Sequence, residues 1–228
     1  MDLDTDVHVN MLAEWRRDVK SSLPVRLLRA VIREASSRDI YGKQWGDVET
    51  VSPLTYVRDQ YVLPYVKDTH TAVEIGPGGG RWTKYLCGFG RLYAVDYHAE
   101  LLAELRANLG KHKNLFFIKN NGTDFPSIPP GTVSYVFSFG TFVHFDFHLI
   151  EAYLRNLPTI LTDDANVVIH YSDKTKILAR NNVGFAENTP DRMRAAVTAA
   201  GFEIREEDTT SMWHSSIIRF GPVRDSAS

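Results

Sequence analysis

The sequence holds a single cysteine, Cys87, in 228 residues. No internal disulfide and no cysteine metal cluster can form, which is compatible with a reducing compartment. Neither sign of charge dominates: 26 Lys and Arg stand against 28 Asp and Glu, a formal net charge of −2. That balance gives no general electrostatic case for nucleic acid, although a local patch is compatible with it. No stretch approaches the roughly 18 apolar residues of a membrane span. The first residues, Met1-Asp2-Leu3-Asp4-Thr5-Asp6, are acidic and lack an apolar signal core. The expectation is a cytoplasmic protein with neither a nucleic-acid nor a membrane partner. Internal repeats and low-complexity tracts are also missing. What is present is ordinary globular composition, 43% hydrophobic, over a length that suits one α/β domain with a decorated end.

Against that background the stretch Thr71 to Gly80, T-A-V-E-I-G-P-G-G-G, organises the chain. An apolar run (Ala72, Val73, Ile75) stops in four glycines and a proline, and a helical pattern begins around Arg81. This is a buried strand, a tight turn and a helix start. Gly76, Gly78, Gly79 and Gly80 admit backbone conformations that a Cβ forbids and let a ligand approach the main chain. The N–H groups of the helix start point into the same space. A phosphate cradle of the G-x-x-x-x-G-K-[ST] type is excluded, because no Gly-Lys-Ser/Thr follows. A dinucleotide fingerprint starts at Gly76 and Gly78, but Arg81 takes the place of its third glycine. A close strand–helix turn without any ligand is the plain structural alternative.

Spacing adds to the turn. Trp82, Tyr85, Leu86 and Phe89 form an apolar stripe at helical spacing, and Gly90 ends the helix expected over 81–89. Residues 91–95 read as a second buried strand that closes on Asp96, twenty residues beyond Gly76. In doubly wound sheets an acid about twenty positions on reaches the ribose hydroxyls, and one carboxylate can accept from both. Asp96 can also cap the helix expected over 99–109. The alternation continues with strands at 114–118, 133–139 and 166–171 and helices at 147–157 and 190–200. Such alternation implies a parallel sheet with right-handed crossovers. Strands at 202–207 and 214–220 have no helix between them and should form an antiparallel hairpin.

Residues 1–70 read as an N-terminal helical extension, with helices at 11–20, 24–35 and 54–66. Arg26, Arg29 and Arg33 share a face of the second, either solvated or meeting an anionic partner. Trp15, Tyr41 and Trp45 bring rings to the region before the turn, as a lid over a pocket or as pins to the core.

The pattern E-x-G-x-G-x-G (Glu74, Gly76, Gly78, Gly80), with Asp96 and the element order over residues 71 to about 220, closely resembles the class I SAM-dependent methyltransferases. The resemblance implies a doubly wound, mostly parallel seven-stranded sheet with a C-terminal antiparallel hairpin and an N-terminal helical extension. It implies a SAM-binding domain over 71–228, with S-adenosyl-L-methionine (SAM) as cofactor and S-adenosyl-L-homocysteine (SAH) as product. The implied cofactor site comprises Glu74, Gly76, Pro77, Gly78 and Gly80, then Asp96 and Tyr97, Asn121 and Gly122, and Ser138. The glycine backbone would line the methionine part, Asp96 the ribose and the loop after the third strand the adenine. Where the family often has an acid in that loop, this chain has Asn121, with Asp124 three residues on. An Asn carbonyl accepts the same hydrogen bond; a plain Asn-Gly turn is the alternative.

His144 follows the fourth strand amid Phe142, Phe145 and Phe147. Ligands of open α/β sheets sit beyond the carboxyl ends of strands. Imidazole titrates near neutrality and can take a proton from a hydroxyl. Several small-molecule methyltransferases of the resembled family place a His there as base. Asp146 would orient that ring or bind substrate, and His170 at the end of the fifth strand is the second candidate. His170, Asp146 and Asp173 suit a divalent ion in type, although no metal is expected. His148 and His214 read as surface or packing residues. The polar loop 181–190 would cover a substrate or merely connect. The expectation is an O-methyltransferase acting on a small-molecule hydroxyl, a sugar-like one being a form the polar, ring-lined cleft suits. The rivals are an NAD(P)-dependent oxidoreductase and a non-catalytic SAM-fold protein that binds a partner. A homodimer through the N-terminal helices is a further expectation.

Overall fold

The computed structural model describes residues 46–224. The helices expected over 11–20 and 24–35, the three arginines of the second, and Trp15, Tyr41 and Trp45 lie outside these residues. The described part begins with helix α1 (Ser52–Val57), which continues as one π turn (Arg58–Val62) and a 3-10 turn (Leu63–Tyr65). The expected single helix over 54–66 is therefore three kinds of turn in succession. Pro64 offers no N–H to continue an α-helical ladder. The π turn brings Tyr61 and Val62, adjacent in sequence, into the core together.

Seven strands follow: β1 (Thr71–Ile75), β2 (Arg91–Asp96), β3 (Leu115–Lys119), β4 (Val133–Ser138), β5 (Leu161–Ser172), β6 (Phe202–Asp208) and β7 (Ser215–Pro222). They form one sheet in the order β3-β2-β1-β4-β5-β7-β6. The pairs from β3 through β5 are parallel, and β7 runs antiparallel to both β5 and β6. This is the doubly wound sheet with a terminal hairpin that the element order implies. The strand order reverses between β1 and β4, so a crevice opens at their carboxyl ends.

Both faces of the sheet are covered, which is why the central strands are nearly continuous apolar runs. Side chains alternate between the faces. Val73, Ile75, Val136, Val167 and Ile169 point toward helix α4 (Phe147–Asn156) and helix α6 (Pro190–Ala199). Ala72, Leu92, Tyr135, Phe137 and Val168 point the other way, toward Trp82, Leu86, Leu105, Val57 and Tyr61. Helix α3 (Ala99–Leu109) supplies Leu105. Helix α5 (Ile177–Arg180) is one turn after β5, and Thr189 caps α6 by accepting from the Arg192 N–H.

Two boundaries differ from the sequence expectation. The helix expected over 81–89 is one turn, α2 (Thr83–Leu86). Asn114 Nδ2 donates to the carbonyls of Cys87 (2.9 Å) and Phe89 (2.6 Å), drawing both away from a helical ladder. Strand β5 starts at Leu161, five residues before the expected start, through a polar segment whose register against β4 shifts between Val133 and Tyr135. Among the described residues no helix is long and apolar enough to cross a membrane.

Phe137 is fully buried and lies between the stacked rings of Tyr135 and Phe139. Phe137→Ala should destabilise the fold by about 3–5 kcal/mol, read as a lower midpoint in chemical denaturation at unchanged slope.

Candidate active site

The glycine turn joins β1 to α2. Gly76, Gly78 and Gly80 have φ of 70°, 54° and 103°, in the left-handed region where a Cβ is costly. At Gly76 space decides as well. A Cβ there would lie 2.1 Å from Thr141 Oγ1, and that hydroxyl donates to the Gly76 carbonyl at 3.1 Å. Ser138 Oγ donates to the Ile75 carbonyl at 2.8 Å. The end of β4 is thus fastened to the end of β1 by two hydroxyls, and the Ser138 hydroxyl serves the sheet. Gly80 N donates to the Pro77 carbonyl at 3.1 Å, and a Cβ on Gly80 would strike Leu105 and Leu109 of α3.

Two carboxylates flank the turn. Glu74 is 2% exposed and accepts a 2.6 Å hydrogen bond from Thr83 Oγ1. Burial pushes its pKa up to about 8, against the pull of that hydroxyl, and the nearby Asp96 adds to the rise. Asp96 is also buried, and desolvation raises its pKa, opposed by the backbone N–H of His98. Its Oδ1 accepts from that N–H at 2.8 Å, at the entry to α3. Oδ2 makes no hydrogen bond among the described residues. The N-cap of α3 is His98, with no side-chain cap, so Asp96 organises the turn before the helix rather than capping it. Tyr97 is exposed, with Lys119 Nζ 5.3 Å from its ring centre.

The loop after β3 is organised by Asn120, which the sequence reading passed over. This buried side chain donates to the Asp124 carbonyl (3.2 Å) and Tyr153 hydroxyl (3.0 Å) and accepts from Gly122 N (3.2 Å). Asp124 Oδ1 accepts from Asn121 N at 2.8 Å. Gly122 has φ of 121°. Asn121 is left at the surface beside the end of β2, where its side chain accepts a 3.4 Å bond from Thr123 N.

Across the crevice runs an arc of rings. Trp82 packs on Phe139 with centroids 4.7 Å apart, and Phe139 stacks on His170 at 4.0 Å and 7°. His170 meets His214 at 6.2 Å, His214 meets Phe185 at 5.2 Å, and Phe185 meets His144 at 5.7 Å, each edge to face. His170 is buried with both nitrogens engaged. Nδ1 accepts from Gly140 N at 3.1 Å, so Nε2 carries the proton that it donates to Ser215 Oγ at 2.5 Å. Desolvation holds its pKa well below the usual range, and the neighbouring His214 adds to that. His170 joins β4, β5 and β7 as a neutral ring, an arrangement that leaves no nitrogen to take a substrate proton.

His144 lies on a 3-10 turn (Phe142–His144). Its Nδ1 is 2.9 Å from the Gly184 carbonyl; a carbonyl only accepts, so Nδ1 holds the proton and Nε2 is the basic nitrogen. The ring is exposed, and crowding by the atoms around it lowers its pKa, against that bond. Asp146 is exposed at the N-cap of α4 and makes no hydrogen bond to His144. Asp173 is committed to Thr175, Ser216 and Lys176. Among the described residues no three His, Cys, Asp or Glu gather in metal-binding geometry, so His170, Asp146 and Asp173 are not brought together. His148 is exposed, as expected, whereas His214 is part of the arc.

Residues 72–164 match the family described as Methyltransferase domain. That match and the fold support the class I SAM-dependent methyltransferase superfamily. Similar solved structures share its fold at low identity. A SAM-dependent methyltransferase from Aquifex aeolicus is 17% identical, with 85% of this chain and 98% of that one covered and a TM-score of 0.60. The DhpI–SAH complex is 18% identical, with 86% and 94% covered and a TM-score of 0.61. The mitomycin 7-O-methyltransferase MmcR is 15% identical, with 97% and 69% covered and a TM-score of 0.61. Comparison with curated proteins gives no match.

The methyltransferase carries its buried acid at a cost that depends on pH. Glu74 has a folded pKa of about 8 against an ordinary value of 4.5. Below pH 4.5 the carboxyl is neutral in folded and unfolded chains alike. As pH rises toward 8 the unfolded chain ionises first and gains stability relative to the fold. Glu74→Gln removes this term. The cofactor-free variant should gain in melting temperature over the wild type as pH is raised from 5 to 8, a difference on the order of a few kcal/mol at most, measured by calorimetry.

Proposed function

We propose that this SAM-dependent methyltransferase acts on a small molecule and transfers the methyl group to a hydroxyl oxygen, with His144 as general base. The observation that carries the reading is the bond between His144 Nδ1 and the Gly184 carbonyl. It fixes Nε2 as the basic nitrogen, and the lowered pKa keeps the ring neutral, hence proton-accepting, at neutral pH. The likeness in fold to the mitomycin 7-O-methyltransferase MmcR is consistent with it.

The residues present fit SAM. Gly76, Gly78 and Gly80, all at positive φ, make the tight turn at the carboxyl end of β1 that suits the methionine part. Glu74 is a buried acid with one hydroxyl donor and suits the ammonium of the methionine part. Asp96 Oδ2 suits the ribose hydroxyls, and the 120–124 loop, with Asn121 and Gly122, suits the adenine. When bound, SAM supplies a methyl group activated on a sulfonium, with SAH as leaving group. The chain's own work is to align the acceptor, exclude water and move one proton. In that transfer His144 Nε2 would take the proton of the acceptor hydroxyl. His170 acts as a positioning residue through Gly140 and Ser215.

Two measurements test this. SAH should bind the wild type in calorimetry, and Asp96→Ala should weaken it by at least about tenfold, the value of one good hydrogen bond to a charged group. Undiminished binding in the variant removes Asp96 from the site. With any hydroxyl acceptor that turns over, His144→Ala should lower kcat by roughly 10²–10⁴ at unchanged SAH affinity. The wild-type rate should climb through a pKa below the ordinary histidine value and level off, and the variant should lose that limb. A variant that keeps both rate and limb refutes the base.

A further inference from the structure

Away from the crevice, the sheet ends at β3, which pairs only with β2 and does so in unbroken register from Leu115 to Lys119. The Asn114 carbonyl accepts from Leu92 N at 2.9 Å, and Asn120 N donates to the Asp96 carbonyl at 3.0 Å. Backbone groups alternate in direction along a strand. Those of Phe116 and Ile118 therefore also face β2. The N–H and C=O groups of Phe117 and Lys119 face away, where no strand of the described residues meets them. A row of this kind is a template for one more strand.

Beside the row runs a groove of about 260 Å³ between β3 and α3, lined by Ala99, Leu102, Ala103, Arg106, Phe117 and Lys119. Among these lining side chains are two cations and no acid. The Arg106 guanidinium lies 4.2 Å from the Phe117 ring centre. On the opposite face of the strand Phe116 is 38% exposed, and the Arg91 guanidinium lies 5.1 Å from its ring centre. Natural edges are blunted by proline, by bulges or by charge. Proline and bulges are missing from β3, and the charge beside it is of one sign.

That sign selects the occupant. A second copy laid antiparallel on this edge would set the two Arg106 side chains against each other. A strand with carboxylates at alternate positions would instead place them in the groove, beside Arg106 and Lys119. Its intervening apolar side chains would lie on Phe116 and Ile118. In strand addition the main-chain bonds supply affinity, and pockets for alternate side chains supply specificity. We infer that the open edge of β3 docks an acidic, extended peptide of a partner protein, which joins the sheet as an eighth strand. This docking edge owes nothing to the identity of the methyl acceptor.

The test uses the full chain and, as probe, the blocked peptide Val-Asp-Val-Asp-Val-Asp-Val. Fluorescence anisotropy reads binding, and amide exchange reads the place. The peptide should bind below about 1 mM and slow exchange of the Phe117 and Lys119 amides. The same peptide with Lys for Asp should not bind. Methylating one backbone nitrogen should weaken binding roughly two- to tenfold where that N–H faces β3, and should spare it at the next residue. Arg106→Glu should weaken binding roughly three- to tenfold, with the melting temperature held. The proposal is overturned if the Asp peptide does not bind, if the Lys peptide binds as tightly, or if Arg106→Glu changes nothing. Binding that leaves the two amides unprotected overturns it as well. So does protection already present in the chain alone. Protection that grows with protein concentration gives the edge to a second copy. Protection lost when Asp2, Asp4 and Asp6 are replaced by Lys gives it to the chain's own first residues. A single-stranded oligonucleotide that displaces the peptide and binds more tightly makes the edge a nucleic-acid surface instead.

Discussion

The close approach of Thr141 to Gly76 sets the geometry on which the site depends. The threonine hydroxyl occupies the space that any Cβ at residue 76 would need and donates to that residue's carbonyl. One strand position over, Ser138 makes the same kind of bond to Ile75. The ends of β1 and β4 are thereby held together at the point where strand order reverses, the place where open α/β sheets bind ligands. Everything downstream follows from that fastening. Gly140 and Thr141 lead from β4 into the 3-10 turn that carries His144, and Gly140 N reaches His170 on β5.

Burial acts on the two sides of the crevice in opposite senses and with one result. On the glycine side it raises the pKa values of Glu74 and Asp96. On the ring side it lowers that of His170. Both sides are driven toward neutrality, so the site disfavours isolated charge.

What could be read from the sequence was what local spacing encodes. The strand–turn–helix at 71–83 and the acid twenty residues on are local statements, and the buried strands announce themselves as continuous apolar runs. The failures were non-local. The shortness of α2 depends on Asn114, some 25 residues from the carbonyls it claims. The start of β5 runs through Thr162, Asp163 and Asp164, polar residues that carry no strand signal. His170 sits where expected, but its partners Gly140 and Ser215 come from other strands, so its engagement could not be seen. His214 reads as a surface or packing residue, and it does pack, against His170 and Phe185. Being antiparallel, β7 begins at the sheet edge where the parallel strands end, which the expected hairpin already implied.

The place of β7 between β5 and β6 also has a consequence for biosynthesis. Strand β5 is complete at Ser172, but the strand that pairs with its open edge ends at Pro222. At about 5–20 residues per second, a ribosome leaves that edge unpaired for several seconds, an interval in which an apolar strand is open to wrong pairing. The ring of His170 waits equally long for Ser215. The half of the sheet that carries the glycine turn, β1 to β4, emerges first, and the other half is assembled last, around whatever the first half has already fixed.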